Sequence, residues 1–104
     1  MTQIRIEKYT LEVDGHAGYA KQGDDIVCAA ISMLAQAYQA GLMLMGIDHD
    51  VDRRSGHIKV IARPSKGAVH RADGMVAMLM AGFALLAKKY PQNVCFAGEK
   101  TENS

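Results

Sequence analysis

Between two stretches of helical periodicity the chain carries a pair of strands rather than one, and that ordering narrows its fold more than any other feature. From 47 to 63 the residues alternate. Ile47, His49 and Val51 share one face and Asp48, Asp50 and Asp52 the other. The run Arg53–Gly56 makes a turn, after which Ile58, Val60 and Ala62 alternate with Lys59, Ile61 and Arg63 until Pro64 ends the run. A lone strand between two helices would suit a parallel crossover. A hairpin there predicts α+β: a mainly antiparallel sheet with two helices packed on one face, in a single domain over 1–104.

The other elements follow from the same reasoning. Residues 3–13 read as strand, but Ile4 and Ile6 lie on one parity and Tyr9, Leu11 and Val13 on the other. A strand cannot change faces without a turn or an extra residue, so Glu7-Lys8 is either a tight turn or a bulge. A first helix is capped by Asp24 or Asp25 and runs to about Met45, with Gly46 closing it. Val27, Ile31, Leu34 and Tyr38 form its core stripe; Cys28, Ser32, Ala35 and Gln39 form a second, smaller and more polar one. Residues 65–72 are a polar loop. Asp73 is expected to cap a second helix reaching about Tyr90, with Val76, Leu79, Phe83, Leu86 and Tyr90 as core. Met75, Met78, Met80 and Leu85 make much of its remaining surface apolar, which predicts burial on more than one side and hence a homodimer. Val94 to Phe96 add a short strand, and 98–104 are expected to form a loose polar tail.

A net charge of +1 announces no basic patch, so direct nucleic-acid binding is not expected. Met1 leads straight into strand-like alternation, and no secretory signal is expected. The second helix, carrying Lys88 and Lys89 and stopped by Pro91, reads as too short and too Ala- and Gly-interrupted to span a membrane. Cys28 and Cys95, far apart and in no paired motif, are expected to be free thiols in a cytoplasmic protein.

The chemistry concentrates in residues 14–32, DGHAGYAKQGDDIVCAAIS. Cys28 falls in the first turn of the first helix, where the positive end of the dipole favours a thiolate. A nearby histidine is the usual partner of such a nucleophile, and His16 is the candidate. The plainer readings are a buried helix cysteine and a surface loop histidine. Cys28 lies off the core stripe, on small neighbours, which a reachable thiol needs. Asp25 either caps the helix or orients His16. Gly18 and Gly23 loosen the loop between base and nucleophile, and Tyr19 reads as a loop anchor. The helix-start N–H groups, that of Cys28 included, are expected to receive an oxyanion.

No cofactor is called for. The row Asp48, Asp50, Asp52 with His49 invites a metal, but Arg53 stands where a calcium loop needs glycine and Lys59 where it needs its last Glu. A solvated carboxylate face, paired across the hairpin by Lys59 or Arg63, fits better. Cys95 reads as a packed strand thiol, and His57 and His70 as surface residues.

HAGYAKQGDDIVCAAIS closely resembles the signature of the ribosomal-processing cysteine proteases, the Prp family. That signature runs HAGYA, a short gap, G, any residue, DIVCAA, a small aliphatic residue, then S, and every fixed position is present. MLMAGFALLAKKYPQNV is similar to the family's second helix and the Tyr-Pro that follows it. The departure is a first hairpin shorter than usual, without its Gly- or Asp-bearing turn. The resemblance implies a small homodimeric α+β endopeptidase that removes an N-terminal extension from large-subunit ribosomal protein twenty-seven, cutting after a Phe. Cys28 would be nucleophile, His16 base and Asp25 a supporting acid, with Gly18, Tyr19 and Gly23 in a loop closing over the peptide. Two other classes remain open: a non-catalytic dimeric ribosome-assembly binding protein, and a thiol-redox or acyl-transfer enzyme using Cys28.

Overall fold

Strand β1, Thr2–Glu7, turns back into β2, Thr10–Asp14, with Ile4 opposite Val13 and Ile6 opposite Leu11. The parity change is therefore a two-residue hairpin turn at Lys8-Tyr9, one residue later than Glu7-Lys8. Lys8 takes φ 54 in it, the left-handed sign that such hairpin turns need. The computed structural model describes residues 1–21 and 23–97; the expected C-terminal tail lies outside them. Helix α1 is Ile26–Leu44. Strands β3, Asp48–Arg54, and β4, His57–Arg63, form the central hairpin, whose turn is only Ser55-Gly56. Helix α2 is Val69–Lys89, and β5 is Val94–Phe96. The sheet order is β3-β4-β2-β1-β5, antiparallel except where β5 runs parallel to β1. The expected α+β architecture, with both helices over one face, is the one observed.

That face is a continuous apolar layer. Ile4, Ile6, Leu11, Val13, Val60 and Ala62 point from the strands into Val27, Ile31, Tyr38 and Leu42 of α1 and Val76, Leu79 and Phe83 of α2. Ala35, expected on the polar stripe of α1, is buried in this core instead. The helices meet closely: a Cβ on Gly82 would stand 3.0 Å from Leu34 Cδ1, so even alanine there would press on the Leu34 side chain. The opposite face of the sheet is charged. Arg5 pairs with Glu12 and Asp14, and Arg63 with Asp48 and Asp50. The hydrogen bond from Arg63 holds the Asp48 carboxyl below its usual range. The aspartate row is thus the ion-paired face expected of it, with Arg63 the partner of Asp48 and Asp50, and Arg54 that of Asp52.

The first hairpin is tied to both helices through Tyr9. Its carbonyl accepts the Tyr38 hydroxyl of α1 at 2.7 Å, and its own hydroxyl donates to Asp73 Oδ1 of α2 at 2.7 Å. Burial first, then the neighbouring Tyr9, raise the Tyr38 phenol to about 12. Asp73 is therefore not the cap of α2. The helix starts four residues earlier at Val69, behind a short 3-10 turn at Lys66–Ala68, in the stretch expected to be loop. At 21 residues, α2 is longer than its sequence was read to allow. Both helices are long and apolar enough to cross a bilayer by length and composition; here each lays one stripe into the core above the sheet.

Candidate active site

Where the open end of the sheet meets the start of α1, a cavity of about 470 Å³ has formed, lined by His16, Gly18, Gly23, Asp25, Cys28 and Ser32 and by the β3–β4 turn. Asp25 builds the helix start. Its Oδ1 accepts the N–H groups of Val27 at 3.0 Å and Cys28 at 2.9 Å, the geometry of an N-cap. Its Oδ2 reaches back to the preceding loop and accepts Tyr19 N–H at 2.9 Å and Ala20 N–H at 3.3 Å. Burial alone would raise this carboxyl; the four N–H donors outweigh burial and hold it below its ordinary value. With both oxygens engaged, Asp25 makes no hydrogen bond to His16. It acts on the site by holding helix and loop together.

This arrangement corrects one expectation. The Cys28 N–H donates to Asp25, so it is not the free donor foreseen for an oxyanion. Another N–H takes the adjacent place: Ala17 N–H donates to Cys28 Sγ at 3.3 Å. A donor aimed at sulfur stabilises negative charge there. Cys28 itself is half-buried, the third residue of α1, and packs against the core while lining the cavity.

The loop from Gly15 to Ala20 is pinned at Gly15, Ala17, Tyr19 and Ala20, more tightly than its glycines suggested. Gly15 N–H donates to Gly56 O at 2.7 Å, Ala17 is buried, and Ala17 O accepts Asn93 Nδ2 at 3.0 Å. Tyr19, half-exposed, sets its ring edge-on to Tyr90 at 5.4 Å, the anchoring role its sequence position suggested. Tyr90 and Asn93 belong to the second family-like stretch. Their part in holding the loop was invisible in the sequence because it is made across 70 residues or more. Gly18, within this stretch, and Gly23, after it, are the freer positions: both have positive φ, and nothing would meet a Cβ on either.

His16 is exposed, and its ring rests against the β3–β4 turn. A Cβ on Gly56 would stand 3.0 Å from His16 Nε2. His16 and Cys28 share the cavity, but no hydrogen bond joins them. Such contacts are often loose before substrate binds. The arrangement can hold a nucleophilic sulfur, a movable base and a nearby N–H donor around one carbonyl.

His57, expected on the surface, is largely buried, its side chain 17% exposed. Its Nδ1 lies 2.6 Å from Asp14 Oδ1, and that hydrogen bond, prevailing over burial, lowers the Asp14 carboxyl below its usual value. Glu12, Asp14 and His57 bring their ligand atoms within 4.8 Å of one another, but the Arg5 guanidinium already pairs with both carboxylates.

No curated protein matches the chain at a significant level. Solved structures do. An essential ribosomal processing protease Prp from S. aureus, bound covalently to a product peptide, superposes with a TM-score of 0.77 at 18% identity, over 95% of this chain and 97% of that one. The same S. aureus protease with a substrate peptide gives 0.70 at the same identity and coverage. A Streptococcus mutans protein gives 0.68 at 22% identity, over 95% and 93%. At such identities these likenesses speak for the fold. The family model for cysteine protease Prp matches residues 1–95, nearly all the described chain. With a cysteine at the helix start and a histidine across the cavity, the chain belongs to the Prp family of cysteine proteases.

Proposed function

We propose that this cysteine protease is an endopeptidase working through a Cys28–His16 dyad. Its substrate would be an N-terminal extension of large-subunit ribosomal protein twenty-seven, as the family resemblance implies. The observation that carries the reading is the Cys28 sulfur at the cavity, accepting the N–H of the residue next to His16. In the proposed reaction His16 leaves Gly56, takes the proton of Cys28, and the sulfur attacks the scissile carbonyl. Charge passes from sulfur to oxygen, and the Ala17 N–H turns to that oxyanion. The C–N bond breaks as His16 protonates the leaving amine. Water, giving its proton to His16, then breaks the C–S bond and frees the acid. Asp25 is a positioning residue throughout, and the Gly18–Gly23 segment closes over the peptide.

The protein is proposed to work as a homodimer in the cytoplasm, where both thiols stay reduced. The test is incubation with N-terminal extension peptides, with and without a thiol alkylator, read by mass. Cleavage is expected in wild type, lost on alkylation and lost in Cys28→Ala, with a chelator making no difference. Full turnover by Cys28→Ala would remove the dyad. A peptide bound but never cut would favour a binding protein, and an acylated or oxidised Cys28 without hydrolysis a transferase or redox enzyme.

A further inference from the structure

The cavity around Cys28 has a wall of fixed positive charge. Arg53 and Arg54, from the end of β3, both line it, while Asp25, the one carboxylate lining it among the described residues, is spent on backbone N–H groups. Arg54 is matched by Asp52 at 3.2 Å. Arg53 has no carboxylate partner among the described residues. Its Nη2 donates instead to Gln39 Oε1 at 3.3 Å.

That contact locates the charge relative to the chemistry. Gln39 stands about three turns after Cys28 on nearly the same face of α1, roughly 16 Å along the axis at ~1.5 Å per residue. Its side chain leans back towards the helix start, which shortens the separation. On the face between, Ser32 also lines the cavity while Ala35 is buried in the core, so the way from Cys28 to Arg53 runs through the cavity and not along the helix surface. Cys28 and Arg53 line the same cavity, so an extended peptide crossing it from one to the other, at about 3.3 Å per residue, meets Arg53 roughly three to five residues from the scissile bond.

We propose that Arg53, with Arg54 beside it, forms a subsite for an acidic side chain of the substrate, three to five residues from the bond that is cut. A guanidinium held by a neutral amide is free to exchange that partner for a carboxylate, which it can grip through two parallel N–H groups. The proposal rests on Cys28 being the nucleophile, because the spacing is measured from it.

The full chain is incubated with a tryptic peptide library from a bacterial proteome, and every cut is mapped by mass. Asp or Glu should be enriched about three-fold at one position three to five residues from the cut, the size a partly exposed ion pair supports. The enrichment should shrink in high salt. Arg53→Gln should bring the ratio of acidic to neutral residues at that position to about one, and Arg53→Glu should enrich Lys and Arg there instead, as reversed charge requires. Gln39→Ala, which leaves the charge but frees the guanidinium, should spread the enrichment over neighbouring positions. Cleavage without acidic enrichment, or enrichment unchanged in both Arg53 variants, overturns the subsite while leaving the protease reading intact. A wild-type chain that cuts nothing, with or without alkylator, overturns the role of Cys28 and the subsite with it.

Discussion

Gly56 shows how much one missing side chain can decide. It has φ 70, which any L-residue resists, and its open side is where the His16 ring rests. Gly46 has nearly the same backbone, φ 67, with nothing within reach of a Cβ. The two positions separate strain from contact. Alanine at either should cost about 1–2 kcal/mol of stability through the left-handed backbone. Only Gly56→Ala should also displace His16, and a misplaced base is expected to slow turnover by roughly ten- to a hundred-fold, as a small displacement of a catalytic group does. Urea melts and cleavage rates of the two variants decide it. Equal rates in both would mean that His16 finds its working position without the turn. Of this arrangement the sequence showed His16 as candidate and the turn as a turn. That they touch arises from pairing β2 with β4, which brings Asp14 opposite His57 and leaves Gly15 bonded to Gly56.

Helix α1 is the element on which the site is built, and its two ends were legible because capping is local chemistry. Asp25 bonds to N–H groups two and three residues on. At the far end Gly46 N–H reaches Met43 O and Ile47 N–H reaches Leu42 O, the double closure that a left-handed glycine permits. Helix α2 was misread at its start for the complementary reason. Asp73 has the residue type of a cap, but its carboxylate is engaged by Tyr9 from the first hairpin, a contact no local pattern reveals. The Asp25 cap carries a pH signature. Its carboxyl is lowered in the folded chain, so the ionised form adds stability that is fully present above the unfolded value near 3.9 and is lost as pH falls below it through the folded value. Asp25→Asn keeps one acceptor oxygen but turns an NH2 towards N–H donors. It should cost about 1–3 kcal/mol at neutral pH, the range for buried groups left unsatisfied. Its stability should also fall less steeply than wild type below about pH 4, since Asn cannot titrate. Urea midpoints between pH 3 and 7 measure both effects. Parallel curves would show that Asp25 contributes no charge-dependent stability.

At the scale of the molecule, the helices that cover one face of the sheet present a second apolar layer outward. On α1, Met33 and Leu44 are 63% and 86% exposed, and on α2, Met78 and Leu85 are 70% and 66% exposed. Within α2, Met78 and Leu85 are separated by two turns and share one face, with exposed Ala81 between them. A few stray exposed methionines would need no explanation; aligned apolar stripes on both helices do. The sequence already hinted at this, because α2 is apolar over more of its circumference than one core stripe uses. The outward stripe was legible for that reason, while its companion on α1 was not, since Ala37 and Ala40 between Met33 and Leu44 carry little signal on their own. The proposed homodimer would bury these stripes against each other, leaving the cavity with Cys28 at the end of the sheet open to peptide. Sedimentation of the full chain in detergent-free buffer should give twice the chain mass. Met78→Lys with Leu85→Lys should give a monomer that keeps its far-ultraviolet circular dichroism, because both side chains lie outside the core and a buried charge at a dimer contact costs several kcal/mol. A wild-type monomer over the whole micromolar range would leave the outward stripes to another partner. A double variant that stayed dimeric would move the interface to the sheet edges, where β3 and β5 each leave one side unpaired among the described residues.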